Sequence, residues 1–355
     1  MWHVFKDNEY HKNYLKKCLD NGADPNARDK HGNTSLHFMY GNVEAFEMLV
    51  AGGACINVVN NYNSTPLHTY VYDASVNLVR RALELEARVD VKDYQGNTPL
   101  CAVENNTDIM LLLLNHGASV KDRDREEKTI LHKVARFYWG GQVVTRALEL
   151  GADVNAIDKA GRRPINYVQD EEIARLFLDH GADPRGTGEN EWTLLHWATW
   201  IWQDADLVKR ALAGGVNVNS QDNLDRTPLH LVKSPIIAQV LLDAGAHIDA
   251  LTLFKETVLH TAENIEIAEF FLSKKKVDIN AKDCSGRTAL HRYIISDNVH
   301  SNDESKAMIV LLLKYGVDPR ITDAKGNTAI DISENEETKQ LLRDAIAKFE
   351  EAPVA

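Results

Sequence analysis

The sequence predicts an all-α fold in which about ten helix–turn–helix repeats stack into one solenoid. Two observations support this prediction. A four-residue anchor of the form T-x-L-H, or a close variant, recurs ten times, mostly at intervals of 30 to 34 residues. An apolar segment follows each anchor, and in most copies it ends at a glycine. Because one such repeat cannot bury its apolar face alone, neighbouring copies must stack to form a core.

The anchor predicts the start of the first helix of each repeat. Threonine is a favourable N-cap because its hydroxyl can accept a hydrogen bond from a free backbone N–H of the first turn. Proline suits the next position, since its missing N–H would have no partner there. The ten anchors, which number the repeats one to ten, begin at Thr34, Thr65, Thr98, Thr129, Arg163, Thr193, Thr227, Thr257, Thr288 and Thr328.

A second helix is expected after each anchor, as at residues 109–114 and 236–242, which are strongly apolar. A glycine suited to a left-handed cap ends most of these helices, for example Gly117 and Gly245. A short extended piece and a D-x-x-G turn, such as residues 158–161, then lead to the next anchor.

This unit resembles the ankyrin repeat, and the resemblance covers nearly the whole chain. It implies an all-α ankyrin-repeat solenoid with short β-hairpin loops. Several positions depart from the family pattern: Arg163 replaces the anchor threonine, and Cys101 and Asn166 replace the anchor histidine. The turns at 124–127 and 252–255 lack glycine, so these departures bear on the local geometry of the turns and not on the fold.

The chain divides into three predicted segments. Residues 1–33 form an N-terminal capping or partial repeat, residues 34–327 hold repeats one to nine, and residues 328–355 form a capping repeat with an acidic tail. Repeats two, four and six carry longer turns, around residues 72–75, 137–141 and 200–204. Repeat nine carries a polar insertion at residues 296–305, which we expect to be a loop.

Composition and motifs argue against several functions. A net charge of −12 opposes nucleic-acid binding, which needs a basic surface. No run of about 18 apolar residues could span a bilayer. Seven of the 14 histidines occupy the anchor position, where the family resemblance implies a structural hydrogen bond to the next repeat. Metal-ligand, phosphate-binding and nucleophile motifs are absent from the sequence. We therefore expect no enzyme activity, cofactor or metal, and a monomer in the cytoplasm.

Exposed aromatic and apolar side chains are the candidate partner contacts, because aromatic residues dominate the energetics of interfaces. Some lie beside anchors or in long turns, and others at predicted turn tips, where polar residues are usual. Packing between repeats is the alternative role, and for Trp197 and Trp202 the two roles weigh equally. The candidates are Tyr62, Tyr94, Phe137, Tyr138, Trp139, Trp192, Trp197, Trp200, Trp202, Leu224, Leu253 and Phe254.

The leading functional hypothesis is a module that binds another protein or a peptide in its concave groove. An alternative is a bacterial effector delivered into a host cell by type IV secretion, where it binds a host protein. Irregular repeats resemble those of such effectors, and Glu334, Glu336 and Glu337 with the small terminal residues resemble a secretion signal. A solvated helical cap explains the same acidic tail. A structural spacer would not need the tryptophan cluster.

Overall fold

The structure, a computed structural model, describes residues 9–300 and 303–351. Over these residues it is helical without β-strands, apart from a single bridge between Thr322 and Thr328. The all-α prediction is therefore confirmed. The chain forms two compact units, unit one (Met1–Asp183) and unit two (Pro184–Ala355).

Each repeat begins with a first helix close after its anchor, and this helix is short in every repeat except repeat nine. These helices are Ser35–Phe38, Pro66–Tyr72, Pro99–Ala102, Ile130–Val134, Pro164–Tyr167, Leu194–His196, Pro228–Leu231, Val258–Thr261, Ala289–His300 and Ala329–Ile332. A second helix follows each first helix and buries one apolar face, and one further helix of this kind, Glu9–Asp20, precedes the first anchor. They are Glu9–Asp20, Val43–Ala51, Val76–Glu84, Thr107–Asn115, Gly141–Glu149, Glu171–Asp179, Ala205–Ala213, Pro235–Asp243, Ile265–Ser273, Asp303–Lys314 and Glu336–Glu351.

The anchor histidine ties each repeat that carries it to the next one. In repeat two, the Thr65 N–H donates to His68 Nδ1 over 3.2 Å. Nδ1 therefore carries no proton, so Nε2 must carry it, and Nε2 donates to the Asn97 C=O at 3.2 Å in the next repeat. The same two contacts recur at His37, His132, His196, His230, His260 and His291. This confirms the structural role predicted for these histidines.

The three variant anchors cap the first helix in different ways. Asn166 Oδ1 accepts from the Arg163 N–H at 2.9 Å, and Asp331 Oδ2 accepts from the Thr328 N–H at 2.8 Å. Both side chains thus replace the capping acceptor of histidine. Cys101 has no such acceptor, and Thr98 Oγ1 accepts from the Cys101 N–H at 3.4 Å instead.

The turn before each anchor is organised mainly by one side chain. In the first turn, Asp29 Oδ1 accepts from the N–H groups of His31 and Asn33, each at 2.8 Å. The Asp29 N–H closes the turn on the Asn33 C=O at 2.9 Å. The loops implied as β-hairpins are thus closed turns without flanking strands.

The glycine-free turns keep this geometry. Glu127 and Lys255 occupy the position that glycine holds in other repeats, and both adopt a left-handed backbone with φ of 59°. At the second of these turns, Thr252 Oγ1 takes the place of the aspartate and accepts from the N–H groups of Phe254 and Glu256. The departures therefore add backbone strain and leave the turn otherwise unchanged.

The extra residues of the long repeats lie partly in helices. In repeat two the first helix extends to Tyr72, and in repeat six it continues into a π-helical turn, Trp197–Ile201. The prediction of a loop at 296–305 is wrong, because helices Ala289–His300 and Asp303–Lys314 cover this segment. Residues 301–302, between the two helices, lie outside the described residues.

Two polar side chains of this insertion bond to the last repeat. The Asn298 amide donates to the Ile332 C=O at 2.8 Å. The Thr338 hydroxyl donates to buried Asp297 at 2.9 Å. Polarity in this segment therefore indicated contacts between helices and not a loop.

A helix lies at each end of the described chain. Glu9–Asp20 packs against Val43–Ala51, and Glu336–Glu351 packs against the two preceding helices with Leu342 fully buried. The division at residues 33 and 327 stays a prediction. Among the described residues, we find no helix with the length and hydrophobicity that a membrane span requires.

Replacing Lys255 by glycine should stabilise the protein, since glycine adopts the left-handed conformation without the steric penalty of a side chain. We expect Lys255→Gly to raise the free energy of unfolding by about 0.5–1 kcal/mol. Urea denaturation measures this change. Lys255→Ala is the matched control and should give no gain, and equal gains from both variants would contradict the argument.

Stability should fall as the pH drops below about 6.5. Burial lowers the pKa of all seven anchor histidines, whereas the unfolded chain binds protons near pH 6.5. The unfolded state therefore takes up more protons below that pH, and the full stability is present only above it.

His68→Asn tests this origin of the pH dependence. Asparagine keeps the cap, as Asn166 does, but does not titrate. The variant should be less stable at pH 7.5 by about 1 kcal/mol for the lost bridge. Between pH 6.5 and 5, the unfolding free energy of the variant should fall less steeply than that of the wild-type chain. The two slopes should differ by up to about 1.4 kcal/mol per pH unit. An unchanged slope in urea titrations would refute the assignment.

Candidate partner-binding surfaces

Four half-buried tryptophans of repeat six pack on one another in unit two. The ring centroids of Trp192 and Trp197 are 5.1 Å apart, and those of Trp192 and Trp200 are 5.3 Å apart. Trp202 stacks on Trp197 at 5.9 Å. Such contacts add to the free energy of burial, so the cluster has a packing role and still keeps part of each ring exposed.

A widened helical turn positions these rings. The Trp202 N–H donates to the Trp197 C=O five residues earlier, at 3.1 Å. Within the same turn, Thr199 Oγ1 donates to the Leu195 C=O at 2.7 Å. A π-turn of this kind adds a residue to the helix and is frequent at functional sites. Trp197 and Trp200 both lie on this turn.

Trp200 lines a cavity of about 490 Å³, here called the unit-two groove. The turn tips of repeats seven and eight contribute Leu224 and Phe254 to its wall. Phe254 is 46% exposed, and its neighbour Leu253 is 56% exposed but does not line the groove. Tyr293 and Met308, from repeat nine, extend the apolar lining.

Opposite charges alternate along the groove. Arg226 lies 5.7 Å from the Trp200 ring centroid and pairs with buried Asp222 at 2.7 Å. Burial raises the pKa of Asp222, but hydrogen bonds from the Arg226 side chain and from backbone N–H groups outweigh it and hold the pKa below its ordinary value. The ion pair with Asp222 holds the guanidinium of Arg226 beside the indole.

Three glutamates also line the unit-two groove. Glu256 pairs with Arg292, and Glu263 pairs with Lys233 at 2.6 Å. Glu304 is exposed to solvent at the groove wall. The wall thus offers both charges around an apolar centre.

The groove histidines have no free ring nitrogen. His230 and His260 each accept from an anchor threonine and donate to a backbone carbonyl at 3.1 Å. Burial lowers the pKa of both. Across the described part of the chain, groups of three or more His, Cys, Asp or Glu suited to hold a metal ion are not found.

Unit one holds two further groups of candidate residues. Tyr62 and Tyr94 lie at neighbouring turn tips with ring centroids 5.7 Å apart, and Arg125 lies 5.8 Å from the Tyr94 ring. Tyr138 and Trp139 are exposed in the turn between the helices of repeat four, Trp139 to 85%, and adjacent Phe137 is half-buried.

The structure brings only some predicted residues together. Trp200, Leu224 and Phe254 share the unit-two groove. Trp192 contacts Trp200, and Trp197 and Trp202 belong to the same cluster without lining the groove. The sequence analysis missed Tyr293, whose position five residues after its anchor threonine matches Tyr70. Both hydroxyls donate to a carbonyl of the preceding first helix, Tyr70 at 2.8 Å and Tyr293 at 2.9 Å. This shared spacing from the anchor is the sequence feature from which the position of Tyr293 could have been predicted.

Comparison with known proteins identifies the repeat. The family model described as ankyrin repeats (3 copies) matches residues 38–124 and 195–283. The ankyrin repeat protein nuc-2 of Neurospora crassa is 29% identical over 52% of this chain and 18% of its own length. The mouse B-cell lymphoma 3 protein homolog is 27% identical over 60% of this chain and 51% of its own length.

A third relative is longer still. The E3 ubiquitin-protein ligase KEG of Arabidopsis thaliana is 26% identical over 77% of this chain but only 18% of its own length. The chain thus spans between about a fifth and a half of these three relatives. The repeat, its capping contacts and these matches agree, and the chain belongs to the ankyrin repeat proteins, whose repeats serve as protein–protein interaction modules.

Proposed function

We propose that this chain binds a protein partner in the unit-two groove and catalyses no reaction. The observation that carries the proposal is the convergence of Trp200, Leu224 and Phe254 on one open cavity. These side chains come from three successive repeats. Apolar and aromatic groups left partly exposed around a concavity are typical of binding sites.

The groove is rigid, which favours binding because little conformational entropy is lost. The Leu253 N–H donates to the Leu224 C=O at 2.9 Å, and the Cys284 N–H donates to the Phe254 C=O at 2.8 Å. These bonds join neighbouring turn tips. A partner would therefore meet the apolar side chains already in place.

The charge pattern favours a basic or mixed-charge partner. The chain carries a net charge of −12, and Glu304 is exposed at the groove wall. Its carboxylate would pair with a lysine or arginine of the partner, while apolar side chains of the partner meet Trp200 and Phe254. Long-range attraction of this kind accelerates association and weakens as salt is added.

A double variant tests the groove. Trp200→Ala with Phe254→Ala should lower the affinity for a protein captured from a eukaryotic lysate by at least about tenfold, since buried aromatic anchors contribute about 2 kcal/mol or more each. Quantitative capture with mass spectrometry, followed by titration of the captured protein, measures the change.

Ile236→Ala is the matched control, because Ile236 is an exposed apolar residue of unit two outside the groove. Circular dichroism should show that all variants are folded. Equal capture by the double variant and the wild-type chain would reject the groove as the binding site.

Delivery into a host cell remains the alternative proposal, and it rests on the acidic C-terminal residues. In the structure Glu336 pairs with Lys339 at 2.8 Å and Glu337 with Lys306 at 2.7 Å. These contacts support the capping role of the last helix. Residues 352–355 lie outside the described residues.

A secretion assay separates the two roles of the tail. If residues 334–355 form a type IV secretion signal, their deletion should abolish translocation of a reporter fusion into host cells. Fusing residues 334–355 alone to the reporter should then restore it. Efficient transfer of the chain that lacks residues 334–355 would reject the alternative. So would a failure of the reporter that carries these residues alone to be transferred.

A further inference from the structure

Two hydrogen bonds recur where neighbouring repeats of unit one meet. One is the histidine bridge, as from His37 Nε2 to the Ser64 C=O at 3.1 Å. The other joins the turn tips, as from the Asn61 N–H to the His31 C=O at 2.9 Å. Both bonds also join repeats two and three, and repeats four and five.

The junction between repeats three and four lacks both bonds. Cys101 stands where the bridging histidine would be. The Lys128 C=O that a histidine would reach accepts the Asp124 N–H of its own turn at 3.0 Å. The tip bond is missing as well, since the Arg125 N–H does not pair with the Gln95 C=O among the described contacts.

Two long side chains take the place of these bonds. Lys133 Nζ donates to the Cys101 C=O and lies 3.5 Å from the Asp124 carboxylate. Arg125 Nε lies 3.5 Å from the Gln95 C=O, a weak contact. Lysine and arginine lose much rotamer freedom when held in one geometry, so such contacts fix a junction less firmly than backbone bonds do.

A polar cavity of about 220 Å³ opens at this place, lined in part by Asn97, Cys101, Arg125 and Lys133. The second helices on the other side of the junction, Thr107–Asn115 and Gly141–Glu149, pack directly on each other. Leu113 of the first of these helices and Val144 of the second are fully buried. The second helices thus pack directly on each other, whereas the first helices meet beside the polar cavity.

We propose that unit one opens at the junction of repeats three and four, with the turn tips and first helices separating while the packed second helices act as the hinge. Opening moves Tyr94 of repeat three away from Arg125 of repeat four. The surface formed by Tyr62, Tyr94 and Arg125 therefore exists in a closed and an open form, and a partner that prefers one form shifts their populations.

Cys101 reports the opening directly, because its thiol is buried in the closed form. In a chain with Cys18, Cys55 and Cys284 replaced by serine, we measure its reaction with 5,5′-dithiobis(2-nitrobenzoate) under native conditions. The reference is the thiol introduced by Val71→Cys in a chain that also carries Cys101→Ser, since Val71 is buried near a junction with both bonds.

We expect Cys101 to react at least about tenfold faster than the reference thiol. Two missing hydrogen bonds lower the free energy of opening enough to give this factor. The rate should also depend little on low concentrations of urea, because local opening exposes little surface. Equal rates, or a strong urea dependence matching global unfolding, would overturn the proposal.

A second pair of variants tests the cause. Ala102→Cys places a thiol beside the junction, and it is combined with either Cys101→His or Cys101→Ser. The histidine supplies the missing bridge to the Lys128 C=O and should slow labelling about tenfold relative to the serine variant. Identical labelling of the two folded variants would show that the missing bridge does not control opening.

Discussion

The contact between an anchor threonine and the histidine three residues later determines most of this structure. The backbone N–H of the threonine occupies Nδ1 of the ring, so Nε2 must donate, and it reaches a carbonyl in the next repeat. One side chain thereby caps its own helix and fixes the position of its neighbour. Because both ring nitrogens are engaged and burial lowers the pKa, the histidine stays neutral and unavailable for metal binding or proton transfer.

The candidate binding surface arises where the repeats differ from each other. The frame of caps and turn bonds holds the tips of repeats seven and eight in a row, and Leu224 and Phe254 then project from fixed positions. The longer repeat six adds the π-turn that carries Trp200. The caps and turn bonds that recur from repeat to repeat therefore hold the scaffold in place, and the residues that differ between repeats form the candidate binding surface. The junction at Cys101 is the converse case, in which an irregular residue removes rigidity.

The repeat, its caps and the histidine bridge could be predicted because each depends on residues close together in sequence, such as Thr65 and His68. The turns at Glu127 and Lys255 show the limit of that reasoning, since stacking imposes a left-handed backbone that their residue types disfavour. The helical structure of residues 296–300 and 303–305 was missed because Asp297 and Asn298 bond to residues more than 30 positions away. For the same reason the pattern indicated Trp200 and Phe254 separately, but could not show that they share a groove with Tyr293.

The central claim is that the unit-two groove is the surface a partner protein occupies. Site-specific photo-crosslinking tests it most directly, with p-benzoylphenylalanine placed at Phe254 in the full chain and, as the reference, at exposed Ile236 of the same unit. Our account predicts a discrete cross-linked protein from position 254 in a eukaryotic lysate, reduced by added salt, and none from position 236. A partner that cross-links at 236 and not at 254 would contradict it.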